Sequence, residues 1–276
     1  MASAPREFGV DGGGSAGALG VDGGGSAGAL GDDAGAVLDR PAFYALRPGG
    51  WRDLITLLHP PYTAWHLSYV ALGAAAAPHI YANRLVAALG AFFLAVGISA
   101  HALDELHGRP LGTRLTRSSL IALAVGAFAG AIAIGIAGII VVSPLLAPLV
   151  LVGGLLVPAY NLELAGGRFH NDIWFALAWG AFPAFTGYFV NSLTIRPAGL
   201  LIAAACCLLS VAQRELSTPV RRLRRNTTDV TGQQRLRDGR VIELTSAGLS
   251  SPLEGALKAL WIALVLLAAG LVATHP

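Results

Sequence analysis

The stretch LVAALGAFFLAVGISAHAL at residues 85–103 runs directly into DELHGRPL at 104–111. Its first part contains no Asp, Glu, Lys or Arg, and at about 1.5 Å per helical residue it matches the ~30 Å hydrocarbon core of a bilayer. Backbone polar groups find no water in lipid, so a run of this composition must be helical. Working outward from it, six more such runs lie at 62–79, 118–137, 144–158, 173–190, 197–212 and 255–273. The sequence therefore predicts an all-α, polytopic membrane bundle of about seven transmembrane helices, with polar residues crowded at the span ends.

Composition agrees. The chain is 54% hydrophobic and only 13% charged, well under the roughly 25% charge of soluble domains. The adjacent Cys206 and Cys207 point about 100° apart on a helix and have no third cysteine to pair with, so they read as small lipid-compatible residues. Residues 1–40 carry an exact repeat, GVDGGGSAGAL at 9–19 and again at 20–30, with a decayed copy at 31–38. Glycine at that density cannot hold a helix, which predicts a disordered, glycine-rich tail. Residues 41–276 form the transmembrane domain, with a basic loop at 214–254.

The net charge of +3 does not indicate nucleic acid, because of where the charges sit. If seven spans are taken in order, all of the 19 Lys and Arg except Arg84 and Arg196 fall on one side. The positive-inside rule makes that side cytoplasmic, together with the N-terminus. The arginines of the long loop would touch anionic lipid headgroups or hold a phosphorylated substrate.

Three polar clusters then converge on the cytoplasmic face. The first is His101, Asp104, Glu105, His107 and Arg109, followed by Arg114. On a continuous helix His101, Asp104 and Glu105 share about 100° of arc. Carboxylates at a span mouth are costly in lipid and suit Mg²⁺, which bridges to substrate phosphates. The arginines would bind the phosphates directly. The second cluster is Tyr160, Asn161 and Glu163, then Arg168, His170, Asn171 and Asp172, where Asp172 is a candidate N-cap. The third is Gln213, Arg214 and Glu215, followed by Arg221, Arg222, Arg224 and Arg225. A polar mouth above an aromatic-lined apolar cavity fits an amphiphile with an anionic head and a hydrocarbon tail.

In their order, LRPGGW (46–51), LHPPY (58–62), VALG (70–73), the acidic span end before Arg109-Pro110-Leu111, Tyr160 and FALAWGAFP (175–183) resemble the UbiA superfamily of intramembrane prenyltransferases. The resemblance covers roughly residues 46–215. It implies a UbiA-like fold, a prenyl diphosphate donor, an apolar acceptor and Mg²⁺ as cofactor. It also implies Asp104 and Glu105 as metal-binding and catalytic residues, with Glu215 as the one carboxylate available for a second acidic motif. Tyr160 and Asn161 would be catalytic. His101, His107, Arg109, Arg114, Arg168, Gln213, Arg214 and Arg221 would bind substrate. The family's longer first motif and its intact second motif are absent here. The alternative is a non-catalytic membrane protein that binds an isoprenoid or lipid, or supports a partner enzyme. A transporter lacks the matched broken helices it would need. A retinal-type protein lacks a mid-span lysine, because Lys258 sits at a span edge.

Overall fold

A computed structural model describes residues 40–275. Apart from Arg40, the repeat tail expected at 1–40 lies outside the described residues. The architecture is all-helical except for one small hairpin. It comprises α1 (Trp51–Leu57), α2 (Pro60–Ala75), α3 (Ala82–Leu106), α4 (Arg117–Val141), α5 (Pro144–Asn161), α6 (Asp172–Ser192), α7 (Pro197–Arg225) and α8 (Ser246–Ala273). Strands β1 (Gln233–Arg235) and β2 (Val241–Glu243) pair antiparallel, with Gln234 opposite Ile242.

Six helices, α3 to α8, are long and apolar enough to cross a membrane. The first apolar run gives the shorter α2, of 16 residues. It stops at Ala75, three residues before Pro78, which could not continue a helix. Several of the long helices carry their large apolar side chains outward, among them Ile140, Leu151, Leu155, Leu266 and Leu267. That is the inverse of a soluble protein and the pattern a lipid-facing surface requires.

The core forms around α2. Trp65, Tyr69 and Leu72 pack with Ala184 of α6, Cys206 of α7, and Leu257 and Leu264 of α8. Two glycines let α2 and α6 touch backbone to backbone. A Cβ at Gly73 would lie 1.9 Å from the Ala184 carbonyl oxygen, and one at Gly187 would lie 2.0 Å from that of Val70. Small residues permit such close approach between helices in lipid, where packing replaces the hydrophobic drive.

Both α3 and α6 contain a π-helical segment, Phe93–Ala100 and Leu177–Ala181. Each widens the turn and rotates the remainder of its helix, a device that recurs at functional sites. The helices around the expected basic loop also run further than their apolar stretches. α7 continues to Arg225 and α8 starts at Ser246, with Thr245 accepting the Gly248 amide as its cap. The loop therefore shrinks from 214–254 to 226–245, and the arginine run becomes helix. At α6 the cap is Asn171, whose side chain accepts the Trp174 amide at 3.0 Å. The expected cap, Asp172, is the first helical residue instead.

Candidate functional site

One end of the bundle holds a cavity of about 300 Å³. Its polar walls come from four places: the segment before α1, α2 with the residue preceding it, the C-terminal end of α3, and α7. The end of α5 and the turn after it close the ring. Helical phase explains what α7 contributes. Spacings of seven and four residues put Arg214, Arg221 and Arg225 on one stripe, within about 40° of arc, and all three line the cavity. On the neighbouring stripe Gln213, Ser217 and Val220 are buried, and Arg224 forms an ion pair with Glu254 at 2.5 Å.

Of the residues assigned roles from sequence, His101, Asp104, His107, Tyr160, Asn161, Gln213, Arg214 and Arg221 are brought together on this cavity. Arg109 is not among them. It lines a more open basin above, with Arg214, Arg221, Arg222 and Arg225, and its guanidinium donates to the Thr113 and Leu115 carbonyls at 2.8 and 3.0 Å. Arg114 and Arg168 are exposed and line neither space.

The expected carboxylate trio is corrected by the geometry. Glu105 is fully buried and turned away from the cavity. One of its oxygens accepts the Leu111 amide at 3.0 Å, and the other accepts the Thr113 amide and hydroxyl, both at 2.8 Å. It is a fastener for the loop after α3. Glu215 is exposed and also off the cavity wall. Neighbouring helical residues diverge by about 100°, so Asp104 and Glu105 serve different sides. Among the described residues no group of three or more His, Cys, Asp or Glu is placed to hold an ion. A Mg²⁺ ion carried by Asp104, Glu105 and Glu215 does not fit this arrangement. The positive charge at the mouth comes from arginine.

Several cavity residues carried no assigned role in the sequence reading, namely Tyr44, His59, Tyr62, His66 and Trp179, while His170 and Arg225 entered it only as members of polar clusters. A signal was present. His59, Tyr62 and His66 recur at spacings of three and four, which gives a polar aromatic stripe on an otherwise apolar helix. His59 precedes Pro60 and takes a left-handed backbone, φ 45°, a conformation that non-glycine residues hold only under constraint. Its ring sits edge-on to His101 at 4.0 Å between centroids, and Tyr44 meets it edge-on at 5.4 Å. Burial first, then His101 and the nearby Arg225 and Arg221, hold His59 well below its ordinary pKa, so it stays neutral. Burial and the adjacent Tyr62 push Tyr44 well above its usual range.

The segment before α1 covers part of the cavity. Arg224 donates to the Arg40 carbonyl at 3.2 Å and Arg225 to that of Pro41 at 3.1 Å, while Lys258 lies over the Phe43 ring at 5.2 Å. At the rim, Arg214 pairs with Asp172 at 2.6 Å and lies 4.9 Å from the centre of the Phe175 ring.

A second space of about 150 Å³ lies between α3, α4, α5 and α6 and is almost entirely apolar, lined by Phe92, Phe128, Ile132, Val150, Leu156 and Phe182 among others. Val96 and Trp179 line both spaces. Both residues belong to the π-helical segments. No protein-family model, curated protein or solved structure matches the chain.

Proposed function

We propose that the protein binds a phosphorylated isoprenoid within the membrane, as a divergent, UbiA-like prenyltransferase. The observation that carries this reading is the shared wall at Val96 and Trp179, where an arginine-rimmed polar cavity meets an apolar groove. Such a pair accommodates one molecule with an anionic head and a long hydrocarbon tail. Guanidinium groups suit phosphate oxygens because their fixed donors bond in pairs.

The chemistry would be substitution at the first carbon of the prenyl chain. The bond from that carbon to the bridging phosphate oxygen breaks, and both electrons leave with the diphosphate. Arg214, Arg221 and Arg225 take up the charge developing there. The acceptor supplies the electron pair for the new bond and loses a proton. Two carboxylates line the same cavity, the exposed Glu163 and the partly buried Asp104, and Asp104 is the one proposed to accept it.

This reading places α2 as a seventh crossing element, with the N-terminus and the cavity mouth in the cytoplasm, as the arginine distribution supports. A non-catalytic lipid binder is the second reading. It is favoured by Glu105 being committed to the loop.

Purified protein in detergent should release diphosphate from geranylgeranyl diphosphate when an acceptor is present. Arg221→Ala combined with Arg225→Ala should lower the rate by about 10² or more, the usual loss when a charge-stabilising donor is removed. Tight binding of the diphosphate without any release would establish the second reading. No binding of the diphosphate would overturn both.

A further inference from the structure

The cavity has two ends of opposite hydrogen-bonding character. Arg214, Arg221 and Arg225 also line the outer basin, so they mark its open end. Val96 and Trp179 also line the apolar groove, so they mark its inner end. Two histidines are tied to that inner end through the π-helical segments. His66 Nδ1 lies 2.8 Å from the Trp179 carbonyl oxygen, and His101 Nδ1 lies 3.2 Å from that of Gly97, next to Val96. A carbonyl oxygen only accepts, so each Nδ1 must carry the proton and donate. In a neutral imidazole this leaves Nε2 as a lone-pair acceptor.

Two further atoms on the same cavity wall are orphaned. Gln213 Oε1 and His59 Nδ1 are buried with no hydrogen-bond partner, on residues only 3% and 9% exposed. Buried polar groups are nearly always paired, and leaving one unpaired costs about 1–3 kcal/mol. An orphaned amide oxygen asks for a donor. So do two imidazoles whose tautomers are fixed by the backbone. The strained backbone at His59 also points to a site held in place by its surroundings.

We propose that the inner end of the cavity is a hydroxyl-recognising subsite, in which His66, His101 and Gln213 accept hydrogen bonds from a neutral co-ligand. The inference rests on the prenyltransferase reading in one respect: the hydroxylated molecule is the acceptor of the prenyl group. The recognition itself follows from three acceptors on this cavity, Nε2 of His66, Nε2 of His101 and Oε1 of Gln213. A hydroxyl gives its proton to one of these lone pairs, which an ether or a hydrocarbon cannot do. The chemical class is therefore an alcohol or phenol on an apolar body.

A matched pair of probes tests this: 2-naphthol and its O-methyl ether, which keeps the aromatic body and loses the donor. Binding is measured on the full chain in detergent, with geranylgeranyl diphosphate titrated separately. 2-Naphthol should bind about tenfold or more tighter than the ether, the penalty for unpaired buried acceptors. Gln213→Leu should bring that ratio toward one. His66→Phe and His101→Phe remove backbone fasteners and endanger folding, so ¹⁵N histidine spectra of the unaltered chain supply the second measurement. Nε2 resonances should shift with 2-naphthol and stay in place with the ether. Equal affinity for the two probes, including no measurable binding of either, overturns the subsite. Discrimination between them without binding of geranylgeranyl diphosphate leaves the subsite standing and removes the prenyl-phosphate reading.

Discussion

Asp104 and Glu105 are neighbours in sequence with opposite roles, and the difference can be measured. Glu105 satisfies three donors of the 111–113 loop from a fully buried position. Asp53, also buried, fastens the same region from α1, accepting the Gly49 amide at 2.9 Å and the Arg114 amide at 3.0 Å. Glu105→Ala strands three donors and should lower stability by about 3 kcal/mol or more, since bonds to charged groups count for roughly 1.5–3 kcal/mol each. Asp104 makes no hydrogen bond or ion pair among the described residues, so Asp104→Asn should leave the melting temperature nearly unchanged. A thermal unfolding series in detergent checks both, and equal losses would contradict the division of roles. This division was not legible in the sequence. Two adjacent carboxylates before Arg109-Pro110-Leu111 look like a ligand pair until helical phase, altered by the preceding π-helical segment, sends them to different sides.

The helices themselves were more legible than their ends. Apolar runs located the six helices that are long and apolar enough to cross a membrane, because lipid permits nothing else. Hydropathy failed where α7 leaves the apolar region, since it registers composition and not hydrogen bonding. There the backbone stays helical through Arg225 and presents arginines on one face. Helix contacts were also hidden, because a glycine in an apolar run signals nothing about its neighbour. Gly73 and Gly187 are where the structure depends on having no side chain. Gly73→Ala or Gly187→Ala must push α2 and α6 apart, and should destabilise the bundle enough to reduce folded protein recovered from membranes several-fold. Gly255 and Gly270 of α8 have nothing within 4 Å of the Cβ position. Alanine there should be neutral or stabilising by up to about 1 kcal/mol, the helix-propensity difference. Size-exclusion profiles of the four variants separate these outcomes, and similar profiles for all four would refute the close-contact account.

Across the whole molecule, the cavity mouth, the segment before α1 and the hairpin all lie at one end, because the helix ends that carry them do. The arginine stripe of α7 ties the chain start to the mouth through Arg224 and Arg225, so a segment before α1 on the far side of the bilayer is incompatible with the fold. Orientation then depends on whether α2 crosses along with the six longer helices. With α2 crossing, Arg47 and Asp229 share one side, and Asn83 and Arg196 share the other; all four are exposed. The positive-inside rule assigns the first pair to the cytoplasm. Single cysteines at these positions, in a background with Cys206 and Cys207 replaced by alanine, allow a direct reading with a membrane-impermeant thiol reagent. Asn83→Cys and Arg196→Cys should be labelled on intact cells. Arg47→Cys and Asp229→Cys should react only in inside-out vesicles. Labelling of Arg47→Cys and Asn83→Cys from the same side would mean that α2 is buried in the bundle without crossing. Labelling of Asp229→Cys on intact cells would invert the whole molecule and place the arginine mouth outside, away from the compartment the charge distribution selects.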